Sequence, residues 1–246
     1  MKRLSAVINF HREGPIVNHS IASYLENVKR INDGKSEVIK IAILDNPDSI
    51  TQKIVEQYKD HFDYFEIVSF GDFGKAKNYA FNLVDTDYIA YFDGDDLWSK
   101  DWLSSCMSTK VKDNCVLHPE YVYYFNKSDF SNTSLFDKPS HGCSSFFMKH
   151  IDSKLIDKRK IYLNNIYTSN MFTSANILSK YPFLEKNVEK AHGVEDWAWN
   201  ALTLYSNIHH SIVNDVVHLV RVKTSNSLGL ENSVNGLLPP LYSLIK

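Results

Sequence analysis

The chain is poor in cysteine: Cys106, Cys115 and Cys143 are its three thiols in 246 residues, and none stands at C-x-x-C or other metal-finger spacing. An odd count without a framework excludes a disulfide scaffold and points to reduced thiols in a cytosolic compartment. No apolar run is long enough for a signal peptide or a bilayer span, and Met1-Lys2-Arg3 leads straight into a strand-like segment. The expectation is a cytoplasmic protein. Charge of one sign is lacking too. Twenty-seven Lys and Arg stand against 29 Asp and Glu, a net charge of −2, which supplies no global attraction for nucleic acid or an anionic membrane. Nucleic acid is therefore not expected as a partner, and any anionic ligand must be held locally. Gly-, Ser- or Pro-rich linkers, charge blocks and internal repeats are all missing, so residues 1–246 read as one domain. What is abundant is core-forming material. Hydrophobic residues make up 43% and aromatics 13%, enough for a sizeable core and too much for disorder, collagen-like, coiled-coil or mucin-like chains.

The first hundred residues alternate regularly. Leu4 to Phe10 is an apolar run, followed by Val17, Ile21, Leu25, Val28 and Ile31 at helical spacing. Val38 to Leu44 is a second strand, and Ser49-Ile50-Thr51-Gln52 has capping-box form ahead of Ile54, Val55, Tyr58 and Phe62. Phe65 to Phe70, a helix over Lys75 to Leu83, and the wholly apolar Tyr88 to Phe92 complete the pattern. Strands buried on both faces read this way, so this half predicts a parallel sheet covered by helices. Beyond it, helical spacing is predicted through Trp98, Trp102, Leu103, Cys106 and Met107, and strands over Val116 to Phe125 and Ile212 to Val222. A helix is predicted from just after Gly193 through Trp197, Ala201 and Leu204. Residues 126–145 and the stretch from Ser225 read as loops before the apolar Leu237 to Ile245.

Asp93-Gly94-Asp95-Asp96 places three carboxylates in four residues directly after an apolar strand. In an open α/β sheet the ligand crevice lies at the carboxyl ends of the strands. A hard divalent cation would relieve the repulsion, and the glycine would let the backbone bring the acidic groups together. A solvated acidic turn is the alternative. A second pair, Glu195-Asp196, falls at a predicted helix start, where acidic residues also favour the positive end of the helix dipole. A dinucleotide-dependent dehydrogenase is excluded by the absence of G-x-G-x-x-G after the first strand.

Taken together, Leu4–Glu13, Ala42–Asn46, Gly74–Ala80 and Tyr88–Asp96 resemble, in order and spacing, the strands, turn and helix of family 2 glycosyltransferases, which have the GT-A fold. The resemblance covers residues 4 to about 103. It implies a Rossmann-like nucleotide-binding half over 1–97, with a mostly parallel sheet, and an acceptor-binding, catalytic-base half over 98–246. It also implies metal-dependent, inverting transfer of a sugar from a nucleotide diphosphate sugar to a saccharide or glycolipid hydroxyl. The setting implied is bacterial surface polysaccharide or lipopolysaccharide synthesis, in the cytoplasm or peripheral at the inner membrane face.

By that resemblance Phe10, His11, Arg12 and Glu13 lie in the nucleotide-binding turn, Asp45 reads the base, Lys77 pairs with phosphate, and Asp93, Gly94 and Asp95 form the DxD motif. Asp95, with Asp93 or Asp96 and with His218, would hold Mn²⁺ or Mg²⁺. Arg221 and Lys223, on one face of a strand by period two, would meet the diphosphate. Asp196 would be the catalytic base beside Glu195, ionised at pH 7 without special tuning. Ser174, Asn176 and Trp197 would line the acceptor side. Ordinary structural roles stand beside these: a surface cation for Arg12, a solvated helix face for Lys77, a satisfied core histidine for His218, and core packing for Trp197 or Trp199. The family usually has two successive aspartates and a glycine where this chain has Asp45-Asn46-Pro47-Asp48, which leaves the identity of the base open. The rival readings are a sugar-nucleotide nucleotidyltransferase, which would carry a Gly-rich, Arg-containing loop after the first strand, and a catalytically silent nucleotide- or carbohydrate-binding module.

Overall fold

The computed structural model describes residues 1–31, 34–110, 112–125, 146–223 and 234–241. Strand β1 (Lys2–Phe10) is buried from Leu4 onward, and the period of two sorts its apolar side chains onto two faces. Leu4, Ala6, Ile8 and Phe10 enter one core cluster and Val7 the other. Strands β2 (Ser36–Asp45) and β4 (Tyr88–Asp93) divide the same way, with Ala42, Leu44, Tyr88, Ala90 and Phe92 opposed to Ile41, Ile43, Ile89 and Tyr91. Two covered faces explain why these strands carry no polar alternation.

Helix α1 (Val17–Lys29) covers the first face with Val17, Ile21 and Tyr24, and α3 (Phe73–Asn82) lays Ala76 and Ala80 on the second. Helix α2 (Ser49–Glu56) adds Val55 to the first cluster. With β3 (Tyr64–Val68) at the edge, the order β3-β2-β1-β4 is parallel throughout.

The second half extends this sheet. Strand β8 (Phe172–Ser174) runs antiparallel to β4 and to β6 (Cys115–Phe125), and β9 (His209–Arg221) lies parallel to β6. Strand β5 (Leu97–Trp98) returns antiparallel on β9, and β7 (Phe146–Lys149) pairs with β6. Further α-helices among the described residues are α4 (Trp102–Ser108), α5 (Ala175–Lys180) and α6 (Glu195–Tyr205).

Two local readings need correction. The cap of α2 is Asp48, whose carboxylate accepts from the Thr51 N–H at 2.7 Å, so Ser49 is already helical. Trp98 belongs to β5, not to the helix that follows. Cys106 and Cys115 are buried and unbridged; Cys143, the predicted loop 126–145 and residues 225–233 of the tail lie outside the described residues. No described helix is long and apolar enough to cross a membrane.

Two features of this architecture position the site. Asn9 of β1 is in register with Asp93 of β4, so His11–Glu13 and Asp93–Asp96 leave the sheet side by side. The loop ahead of α6 is tied down from downstream: the Gly193 N–H donates to the Leu238 carbonyl at 3.1 Å, and the Leu238 N–H to the Ala191 carbonyl at 2.9 Å.

Candidate active site

A cleft of about 480 Å³ opens at these strand ends, and its walls bring together His11, Glu13, Asp93, Asp95, Arg221 and Lys223 with Glu195 and Asp196. Gly94 explains how the acidic turn reaches its place. A Cβ there would lie 2.4 Å from the Phe10 ring and 2.7 Å from the Asn9 carbonyl, while the Gly94 N–H donates to that carbonyl at 2.7 Å. Phe10, fully buried, is thus the floor under the turn rather than a ligand contact.

The charges of the turn are individually answered. Lys223 Nζ stands 2.6 Å from Asp95 Oδ2 and 3.9 Å from Glu13 Oε1. Arg221 Nε donates to the Asp95 carbonyl at 3.1 Å, and its guanidinium lies 4.9 Å from the Phe125 ring centre. Glu13 also accepts from the His11 N–H at 2.7 Å; burial, with Asp95 nearby, nevertheless pushes its carboxyl up to about 7. His11 donates from Nδ1 to the Asp45 carbonyl at 2.6 Å, because a carbonyl can only accept. Asp93 accepts from the Ser169 hydroxyl.

Asp96 and His218 form a separate buried pair. His218 Nε2 is 2.8 Å from Asp96 Oδ2, its Nδ1 is 3.1 Å from the Thr168 hydroxyl, and its ring stacks on Trp98. Asp96 Oδ1 accepts from the Arg221 N–H at 2.9 Å. Burial raises the Asp96 carboxyl and lowers His218 to about 4, which leaves one proton between them. Both side chains are committed to each other and to β9, so neither is the open metal ligand the sequence suggested. Among the described residues no group of three or more His, Cys, Asp or Glu converges as a metal cage. Asp93 and Asp95, facing the cleft, fit a hard cation of the kind held by one or two carboxylates and completed by phosphate oxygens and water.

The first turn of α6 also lines the cleft. Val194, at φ 58°, turns the chain into the helix through the left-handed region, an uncommon conformation for a β-branched residue. Glu195 Oε1 takes the Lys77 ammonium at 2.8 Å, and Lys77 is 1% exposed. Burial alone would lower Lys77, but Glu195, Asp93 and Asp196 outweigh it and hold the ammonium above its ordinary range. Lys77 is therefore neither solvated nor turned to a ligand. Asp196 accepts from the Trp197 N–H at 2.8 Å on Oδ1 and from Asn165 Nδ2 at 2.9 Å on Oδ2. Burial and the Glu195 charge push its carboxyl up to about 7, against Lys77, so the expectation of an untuned aspartate is corrected.

Other predicted residues lie elsewhere. Asp45 is 1% exposed, and its carboxylate accepts from the N–H groups of Phe70, Gly71 and Asp72 at 2.7, 2.9 and 2.9 Å. It holds the loop into α3 instead of facing the cleft. Arg12 is exposed beside it, with Nε 3.3 Å from the Asn46 carbonyl. Ser174 and Asn176 line a depression with Asp85, Asp87 and Asp113 at the opposite end of β4, because Ser174 is in register with Tyr88. Trp197 packs with Ile161, Ala201 and Leu204 in a third core cluster and donates to the Ile161 carbonyl at 2.6 Å. The cleft wall given to them is instead built by Asn164, Asn165, Thr168, Ser169 and Tyr124. No periodicity marks Asn164–Ser169; its polar signals are the pairs Asn164-Asn165 and Thr168-Ser169.

The model of glycosyl transferase family 2 matches residues 5–181. No curated protein matches the chain. Among solved structures, residues 1–349 of Staphylococcus aureus TarS in complex with UDP-GlcNAc align with a TM-score of 0.60 at 16% identity, covering 93% of this chain and 61% of that one. The complex of the same TarS fragment with UDP gives 0.57 at 17%, over 91% and 61%. The mannosyltransferase PcManGT of Pyrobaculum calidifontis, in complex with GDP-Man and Mn²⁺, gives 0.60 at 11%, over 99% and 68%. The chain thus spans about three fifths of the TarS fragment. The family match over most of the chain, and a fold that aligns with these structures, make this a GT-A glycosyltransferase domain belonging to glycosyl transferase family 2.

Proposed function

We propose that the cleft transfers a sugar, with inversion, from a nucleotide diphosphate sugar to a hydroxyl of a saccharide or glycolipid acceptor. The observation that carries this is that two carboxylate groups line one cleft: Asp93 and Asp95 from the turn after β4, and Asp196 from the first turn of α6. The nucleotide sugars bound by the TarS and PcManGT structures support the donor class, and the Mn²⁺ of the latter supports a divalent ion at Asp95 with Asp93.

Asp196 accepts the acceptor's hydroxyl proton as that oxygen bonds to the anomeric carbon. The bond from that carbon to the diphosphate oxygen breaks at the same time, and the diphosphate leaves with the electron pair. A carboxyl held near 7 is matched to such a proton transfer at neutral pH. Arg221 and Lys223, at the rim beside Asp95, place positive charge where the leaving diphosphate gathers negative charge. A bound Mn²⁺ or Mg²⁺ would supply further Lewis-acid neutralisation there. The setting we infer is surface polysaccharide or lipopolysaccharide assembly, in the cytoplasm or peripheral at the inner membrane face.

The test is hydrolysis of UDP-, GDP- and dTDP-sugars with Mn²⁺, paired with calorimetric binding of UDP and GDP. Asp196→Asn should keep nucleotide affinity and lose roughly 10²-fold or more in turnover. Asp95→Ala should abolish the benefit of added Mn²⁺. Retained turnover in Asp196→Asn would overturn the base assignment, and equal nucleotide affinity with Mn²⁺, with chelator and in Asp95→Ala would overturn the metal site.

A further inference from the structure

Asp196 is one end of a short side-chain relay that no motif of the sequence marks. Asn200, one turn later on α6 and 2% exposed, donates from Nδ2 to Asn165 Oδ1 at 3.1 Å and to the Tyr167 carbonyl at 3.4 Å. Asn165 in turn donates from Nδ2 to Asp196 Oδ2 at 2.9 Å. An amide has one donor end and one acceptor end, so the direction of the relay is not arbitrary. The Tyr167 carbonyl can only accept, which turns the Asn200 amino group toward the loop. Its second contact falls on the Asn165 oxygen, and the amino end of Asn165 is thereby presented to Asp196.

We propose that Asn165, oriented by Asn200, is the positioning residue for Asp196. The inference rests on the reading of Asp196 as the base. On Oδ1 the carboxylate is fixed by the N–H of Trp197, its own helix; Asn165 is the tie from outside the helix. Two donors on different oxygens fix the plane of the carboxylate, and a single one leaves it to rotate about the Cβ–Cγ bond. Asn165 itself lines the cleft wall beside Asp196 and is half-buried, so it is close enough to hold the base and is not part of the core clusters.

The test compares Asn165→Ala and the isosteric Asn165→Asp with wild type in hydrolysis of UDP-GlcNAc and GDP-mannose. Each is repeated in the Asp196→Asn background, and melting temperatures confirm folding. The expected result is a fall in kcat on the order of 10- to 100-fold with donor KM unchanged, the scale of a misplaced catalytic group. In the Asp196→Asn background the same substitutions should bring no further loss, because the group they position has gone. Should Asn165→Ala fail to fold, Asn165→Asp carries the same comparison. Unchanged kcat, a loss confined to KM, or an equal loss in both backgrounds would overturn the proposal while leaving the base intact. Full turnover in Asp196→Asn alone, or no hydrolysis of either donor by wild type, would overturn the base reading and this proposal with it.

Discussion

At the scale of single residues, Lys77 is the side chain on which the site most depends without touching the cleft. Its ammonium is the counter-charge to Glu195 at 2.8 Å and also acts on Asp93 and Asp196. Taking away one member of a buried pair strands the other, at a cost of about 3–5 kcal/mol. Lys77→Met should therefore lower stability by roughly 3 kcal/mol, read as a fall in the urea midpoint, and Lys77→Met combined with Glu195→Gln should recover a large part of it. Additive losses would show that the two side chains stabilise the protein independently. This role was hidden in the sequence, where a lysine on an amphipathic helix looks solvated; the partner lies 118 positions away and only packing of α3 on α6 brings it near.

At the scale of elements, the acidic turn after β4 is built by exclusion of volume. Gly94→Ala would place a methyl 2.4 Å from a ring that is itself fully buried. The strain should cost about 1–3 kcal/mol, visible as a lowered melting temperature, and should weaken nucleotide binding by displacing Asp93 and Asp95. A wild-type melting temperature would mean that Phe10 can yield. The strands and helices of the first half were legible because each apolar run faces two layers, a strong periodic signal. That Asp93, Asp95, Glu195 and Asp196 line one cleft was legible because they stand at element boundaries, in segments that resemble family motifs. Ser174 and Asn176 misled for the opposite reason. Strand β8 is three residues long, so its sequence carries no register, and its antiparallel pairing sends them to the far end of β4. Asn165 sits in a segment without periodicity, where only the fold can say which side chain meets which.

Across the whole molecule, buried titratable groups set the response to acid. His150 and His210 are lowered to about 4 and about 3 by burial, and His118 lies well below its ordinary value. Between about pH 4 and 6.5 the unfolded chain binds protons at these three that the fold refuses, so they make stability fall as pH falls. Glu13 and Asp196, raised to about 7, act the other way, since the fold holds their protons where the unfolded chain has lost them. The Asp96–His218 pair keeps one proton folded, as the separated groups do unfolded near pH 5.5, and drops out. Two effects of opposite sign should leave the urea midpoint only gently dependent on pH across this window in the absence of divalent ions. Asp196→Asn should make the fall toward acid steeper and raise stability at pH 8, where its buried charge is removed. A midpoint at pH 8 lower than wild type would mean that the ionised carboxylate stabilises the fold.

The hydrogen bonds between Leu238 and the loop at Ala191 and Gly193 tie a late stretch of the chain to the approach to α6. Asp196 is thus mounted like a jaw whose hinge pin arrives from another part of the chain: two backbone bonds, indifferent to which side chain residue 238 carries, hold the approach to the base against the body of the protein. Leu238 itself is 64% exposed. Sequence drift at that position would therefore be silent so long as the backbone N–H survives, and alignment of local geometry within the cleft can persist where side-chain identity around it does not.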